Sequence, residues 1–144
     1  MDDTSVGTSA PWSARPLVVF LMLLFALEFL GNLAAQRGLL DPAAQAVARL
    51  TAALSSATGV TATAVGNEVF LEHGVLQMSV ECTGIYLVLA LAALVLATPS
   101  GWRLKLAGLV VGAATILLAN QVRLVLVAHA SRLPEDAFLF LHDY

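Results

Sequence analysis

Apolar positions along this chain crowd into three long runs, and the polar residues between them set what each run becomes. Residues 17–35 form the first run, about 19 residues that suit a bilayer-spanning helix better than the short apolar core of a secretory signal. Leu33-Ala34-Ala35-Gln36 is a poor match to a small-x-small cleavage site, so the segment is read as a retained transmembrane helix. The second run, 83–98, ends at the break Thr98-Pro99-Ser100-Gly101-Trp102, and the third, 104–129, follows Arg103. The spacing changes between the first and second runs. Asp41-Pro42 supplies an N-cap and an N1 proline, and Val47, Leu50 and Leu54 fall on one stripe, predicting an amphipathic helix from about Pro42 to Ala57 lying on the membrane surface. After Thr58-Gly59, short Thr- and Val-rich stretches alternate with turn signals at Gly66-Asn67 and His73-Gly74, which predicts a small β-hairpin or meander. Its last strand is expected over Val75 to Cys82, where period-2 alternation puts Cys82 on the apolar face.

Composition agrees with this pattern. At 59% hydrophobic and 12% charged residues, with mean hydropathy +0.86, the 144 residues describe a single integral membrane domain. The fold expected is all-α, with three transmembrane helices and the amphipathic helix and hairpin within 36–82; residues 1–16 and 130–144 are expected as tails. A net charge of −3 without a Lys/Arg-rich run excludes nucleic acid as a natural partner. Outside the spans, Arg15, Arg103 and Lys105 fall on one side of the membrane and Arg37, Arg49 and Arg132 on the other, so the basic count alone is tied. The loop before the third helix is short and has no acidic residue, whereas Asp41, Glu68, Glu72, Glu81, Glu135, Asp136 and Asp143 all fall opposite it. The loop is therefore assigned to the cytoplasm, which puts Cys82 and the C-terminal tail on the extracytoplasmic side.

Counting from that loop brings two reactive groups level. Cys82 to Thr98 is 98 − 82 = 16 steps and Leu106 to Arg123 is 123 − 106 = 17, or about 24 and 26 Å of helix. Cys82 is the only cysteine, so an internal disulfide or a multi-cysteine zinc site is excluded; a packing thiol, an intermolecular bridge and a nucleophile stay open. An intramembrane arginine marks a pairing or functional site, and near Cys82 its charge would favour thiolate over thiol. Gly108, Gly112, Thr115 and Ala119 suggest a closely packed face of the third helix that Arg123 continues. Glu28 shares a helix face with Asn32 and is expected to be an interhelical structural group, for instance paired with Arg123 or Asn120, with proton transfer as the alternative. His73 falls in a turn, His129 near a helix C-terminus, and His142 in the tail on the side of the thiol. No metal-ligand spacing connects these histidines to Cys82, and no cofactor is expected.

Cys82-Thr83-Gly84-Ile85 at the head of one helix, Asn120-Gln121-Val122-Arg123 in the next and His142 beyond resemble the exosortase and archaeosortase family of membrane cysteine transpeptidases. Gly66-Asn67-Glu68 and the small size look most like the exosortase H group. The resemblance implies an enzyme of the inner membrane with its active site on the periplasmic face. Its substrates would be exported proteins ending in a short motif, a transmembrane helix and a basic tail. It further implies that Cys82 is the nucleophile, His142 the proton-transfer residue and Arg123 the third polar group, with Asn120 orienting Arg123 and Glu28 supporting the bundle. Members of that family continue past the histidine into another transmembrane helix, whereas this sequence ends at Asp143-Tyr144, and the substrate groove is expected to be incomplete to that extent. The competing expectation is a non-catalytic membrane protein whose buried polar residues serve helix packing or complex assembly.

Overall fold

The computed structural model describes residues 14–132. Expectations for the N-terminal tail before that point, for the C-terminal tail beyond Arg132 and for His142 lie outside these residues. Within them the chain is mostly helical. Helix α1 (Arg15–Gln36) begins earlier than expected because Pro16 sits in its first turn, where the missing N–H costs nothing and the ring fixes a helical φ. Helix α2 (Asp41–Ala57) starts at the Asp-Pro pair, though without a side-chain cap bond, and ends where Thr58 turns its hydroxyl back onto the carbonyls of Leu54 and Ser55. Three short antiparallel strands follow in the order β1-β2-β3: β1 (Ala62–Val65), β2 (Glu68–Leu71) and β3 (Gly74–Gln77). A single 3-10 turn (Glu81–Thr83) then leads into α3 (Ile85–Ala97), and Gly101 starts α4 (Trp102–Ala130).

The last strand is shorter than its alternation predicts. β3 stops at Gln77, Met78 makes one more ladder bond to the Asn67 carbonyl at 2.7 Å, and the backbone then closes i+3 bonds, Cys82 N–H to Ser79 O and Thr83 N–H to Val80 O, each 3.1 Å. Thr83 secures this turn, its hydroxyl donating to Val80 O at 2.6 Å and accepting from the Ile85 N–H at 3.2 Å. Cys82 is therefore on a turn and not on the apolar face of a strand.

Helices α1 and α4 are long and apolar enough to cross a membrane, whereas α3 has 13 residues, about 20 Å against a hydrocarbon thickness near 30 Å. α3 packs against both. No residue of α1 is buried, and Met22, Phe25 and Phe29 are each about 70% exposed, an apolar surface that requires lipid around it. The packed core lies at the other end, where Ala48 and Ala52 of α2, Val69 of β2, Met78 and Leu124 of α4 form one cluster.

The apolar stripe expected on α2 is displaced. Leu50 and Leu54 are exposed, and the buried line is instead Ala44, Ala48, Thr51, Ala52 and Ser55, whose small side chains let α2 sit close to the sheet and to α4. The small-residue series on α4 also drifts. Gly112 faces α3 so closely that an added Cβ would lie 2.6 Å from Leu91 Cδ2, but Thr115 and Ala119 are exposed, so Arg123 does not continue that packed face. The basic loop closes the far end, with the Lys105 ammonium donating to the Leu96 carbonyl at 2.8 Å and Arg103 lying 5.8 Å from the Trp102 ring centroid.

Candidate functional site

Where the helical bundle meets the small-residue core, one cavity of about 300 Å³ brings Cys82 and Arg123 together. Val75, Leu76, Gln77 and Met78 form one wall, and Leu124 and Val127 extend the α4 side. The thiol arrives there through the local chemistry of Cys82-Thr83-Gly84. Gly84 adopts a left-handed φ of +78°, which costs a residue with a Cβ about 1–2 kcal/mol, and this conformation reverses the chain from the 3-10 turn into α3. The cysteine itself is half-buried, packed along the edge of the core cluster.

Three polar groups fix the turn. Asn120 Nδ2 donates to the Cys82 carbonyl at 2.7 Å, tying the cysteine backbone to α4 three residues before Arg123. The expected orienting bond between Asn120 and Arg123 is absent among the described residues; the Asn120 Nδ2 is used on the cysteine backbone instead. Ser79 Oγ donates to Cys82 Sγ at 3.5 Å. The same hydroxyl, followed by the Glu81 backbone N–H, holds the Glu81 carboxyl below its usual range, so one hydroxyl proton serves either the sulfur or the carboxylate.

Arg123 lines the cavity with no acidic partner among the described residues. Among the described residues the one ion pair is Arg132 to Glu72 at 4.0 Å, so the pairing expected between Glu28 and Arg123 does not form, nor does one between Glu28 and Asn120. The reason is the arrangement of helices. Glu28 belongs to α1, which packs on α3, and the contact on its face is made by Asn32, whose Oδ1 accepts from Tyr86 OH at 3.2 Å. Neither described histidine lines the cavity. His73 is exposed in the β2–β3 turn, and the ring of His129 lies 2.8 Å from the Val125 carbonyl through Nδ1 and 3.4 Å from the Thr58 carbonyl through Nε2. No group of three metal-ligating side chains occurs among the described residues.

Sequence reasoning missed two supports. Gln121 is 7% exposed and donates to Thr51 Oγ1 at 2.7 Å, joining α4 to α2 beneath the site. Adjacent helical positions project about 100° apart, so the Asn120-Gln121 pair was itself the signal: two neighbouring amides must serve two different elements. Ser79 is the other, legible only once the strand is known to stop before it.

The family model described as transmembrane exosortase matches residues 6–144. No curated protein and no solved structure matches the chain.

Proposed function

The chain belongs to the transmembrane exosortase family, and from that premise we propose that it is a membrane cysteine transpeptidase that cleaves C-terminal sorting signals of exported proteins. What supports this reading most directly is the cavity shared by the half-buried Cys82 thiol and the Arg123 guanidinium, which has no acidic partner among the described residues. Arg123 is itself exposed, so its guanidinium stands open to a substrate group in that cavity.

Cys82 Sγ attacks the scissile carbonyl carbon while its proton passes to the imidazole of His142, the base that the family resemblance implies. The carbonyl π electrons move onto oxygen, and Arg123 stabilises that oxyanion. Collapse of the tetrahedral species breaks the C–N bond, His142 returns the proton to the leaving amine, and an acyl thioester stays on Cys82. An acceptor amine or water then attacks the thioester and releases the thiol. Ser79 and Asn120 are positioning residues, one holding the sulfur and the other the cysteine backbone. The substrate's own transmembrane helix lies alongside the bundle, and its scissile peptide reaches the cavity on the extracytoplasmic face of the inner membrane.

The test is processing of a tagged substrate carrying a short motif, an apolar helix and a basic tail, co-expressed with the full chain. Cys82→Ala reduces processing to background while the protein accumulates normally in the membrane. Processing at the wild-type level in that variant refutes the proposal.

A further inference from the structure

The cavity wall opposite Arg123 contains four consecutive residues, Val75, Leu76, Gln77 and Met78. Side chains alternate between the two faces of a strand, so a cavity lined by four in a row runs along the strand's edge and not over one face. Among the described residues β3 is an edge strand, paired with β2 alone. The register fixes which backbone groups that edge presents. Met78 N–H bonds to Asn67 O at 2.7 Å, making Asn67 and Met78 a hydrogen-bonded pair. In an antiparallel ladder such pairs alternate, so Leu76, opposite Val69, also turns its N–H and C=O toward β2. The amide groups of Val75 and Gln77 turn the other way, into the cavity that holds Cys82 and Arg123.

We propose that the substrate is recognised as a fourth strand: the extended peptide around the scissile bond pairs with the outer edge of β3 through the backbone groups of Val75 and Gln77, which sets its carbonyl against Cys82. This deepens the transpeptidase proposal and rests on it. The occupant is an extended peptide because the wall supplies backbone donors and acceptors at the two-residue repeat of a strand, within the cavity where a peptide bond must meet the thiol. Main-chain pairing supplies affinity independent of side chains. Selectivity then comes from alternate substrate side chains, those on one face meeting Leu76 and Met78 and those on the other meeting Val75 and Gln77.

The experiment removes the edge donors while sparing the sheet. Val75→Pro and Gln77→Pro delete an N–H that β2 does not use, and edge strands tolerate proline at such positions. In the full chain in membranes, each lowers processing of the tagged substrate about tenfold, the cost of one unmade hydrogen bond near 1.4 kcal/mol. Val75→Thr and Gln77→Ser, which keep the amide and change only the side chain, lose less processing than the proline variant at the same position. As a second arm that leaves the enzyme unaltered, substrate peptides N-methylated one residue at a time lose cleavage at every other position along the segment. Photocrosslinking from position 75 in the Cys82→Ala background reads binding without chemistry and captures the substrate's motif segment. Wild-type processing by both proline variants together with cleavage indifferent to N-methylation overturns edge pairing and leaves the transpeptidase proposal standing. Unimpaired processing by Cys82→Ala overturns that proposal itself. Crosslinking of position 75 only to a second copy of this chain assigns the edge to self-association and overturns the inference.

Discussion

The two ends of this molecule bury opposite things. Around α1 and the first half of α4 the large apolar side chains face outward, Phe25, Phe29, Leu104 and Val111 among them, and the inward contacts are made where a glycine admits a neighbouring leucine, as at Gly31 with Leu89 and Gly112 with Leu91. Around α2, the sheet and the last turns of α4, the order reverses, with Met78, Val69 and Leu124 inside and polar groups paired across elements. One end relies on lipid for its apolar burial and the other on its own packing. The proposed site sits at the seam between them, where a charge can border an apolar wall and still be reached from water.

Truncation at matched positions breaks this comparison most sharply. Met78→Ala, at 1% exposure, should cost about 2–5 kcal/mol, whereas Met22→Ala on the outward face of α1 should leave stability nearly unchanged; thermal unfolding in detergent separates them. Next comes the polar link between α2 and α4. Gln121→Leu alone strands the Thr51 hydroxyl and should cost about 1–3 kcal/mol, while adding Thr51→Val recovers most of the loss, a cycle readable from the same unfolding curves. Gly84→Ala places a Cβ in a left-handed backbone and 3.4 Å from Asn120, and should cost about 1–2 kcal/mol with a larger fractional loss of processing, because the displaced turn carries Cys82.

The smallest effect concerns acid. Glu81 titrates below its ordinary value of 4.5, so its stabilising contribution is complete above 4.5 and is lost as pH falls through the lowered folded value. Ser79→Ala removes the largest cause of that lowering. The gap in melting temperature between Ser79→Ala and the parent is therefore expected near neutral pH, and its carboxylate part closes at lower pH. Glu81 is exposed, which keeps this component small.

Helix ends and the short meander were legible because their signals are local: Asp41-Pro42 opens α2, Gly66-Asn67 makes the β1–β2 turn, and Thr98 to Gly101 separates α3 from α4. Counting from the loop measured the helical stretches below Cys82 and Arg123 because helical rise is constant, although Cys82 itself sits on the turn that precedes α3. Which face a helix buries was harder. The apolar moment of α2 pointed to Leu50 and Leu54, yet a helix that must approach a sheet and another helix closely buries alanine, serine and threonine, and turns its leucines outward. Alternation likewise ran on past Gln77 to Cys82, since period 2 cannot see the i+3 hydrogen bonds that curl Ser79 to Thr83 into a turn. Partner choice was least legible of all. Glu28 and Arg123 have complementary charges, but they belong to helices that each pack on α3, and charge carries no information about which faces meet.

The amide of Asn120 has a mechanical consequence. Because it grips the carbonyl of the very residue that carries the thiol, sulfur and guanidinium hang from a common lever, the upper part of α4. If an arriving helix tilts that lever to widen the entrance, both groups swing with it, and the gap between them stays geared while the doorway opens.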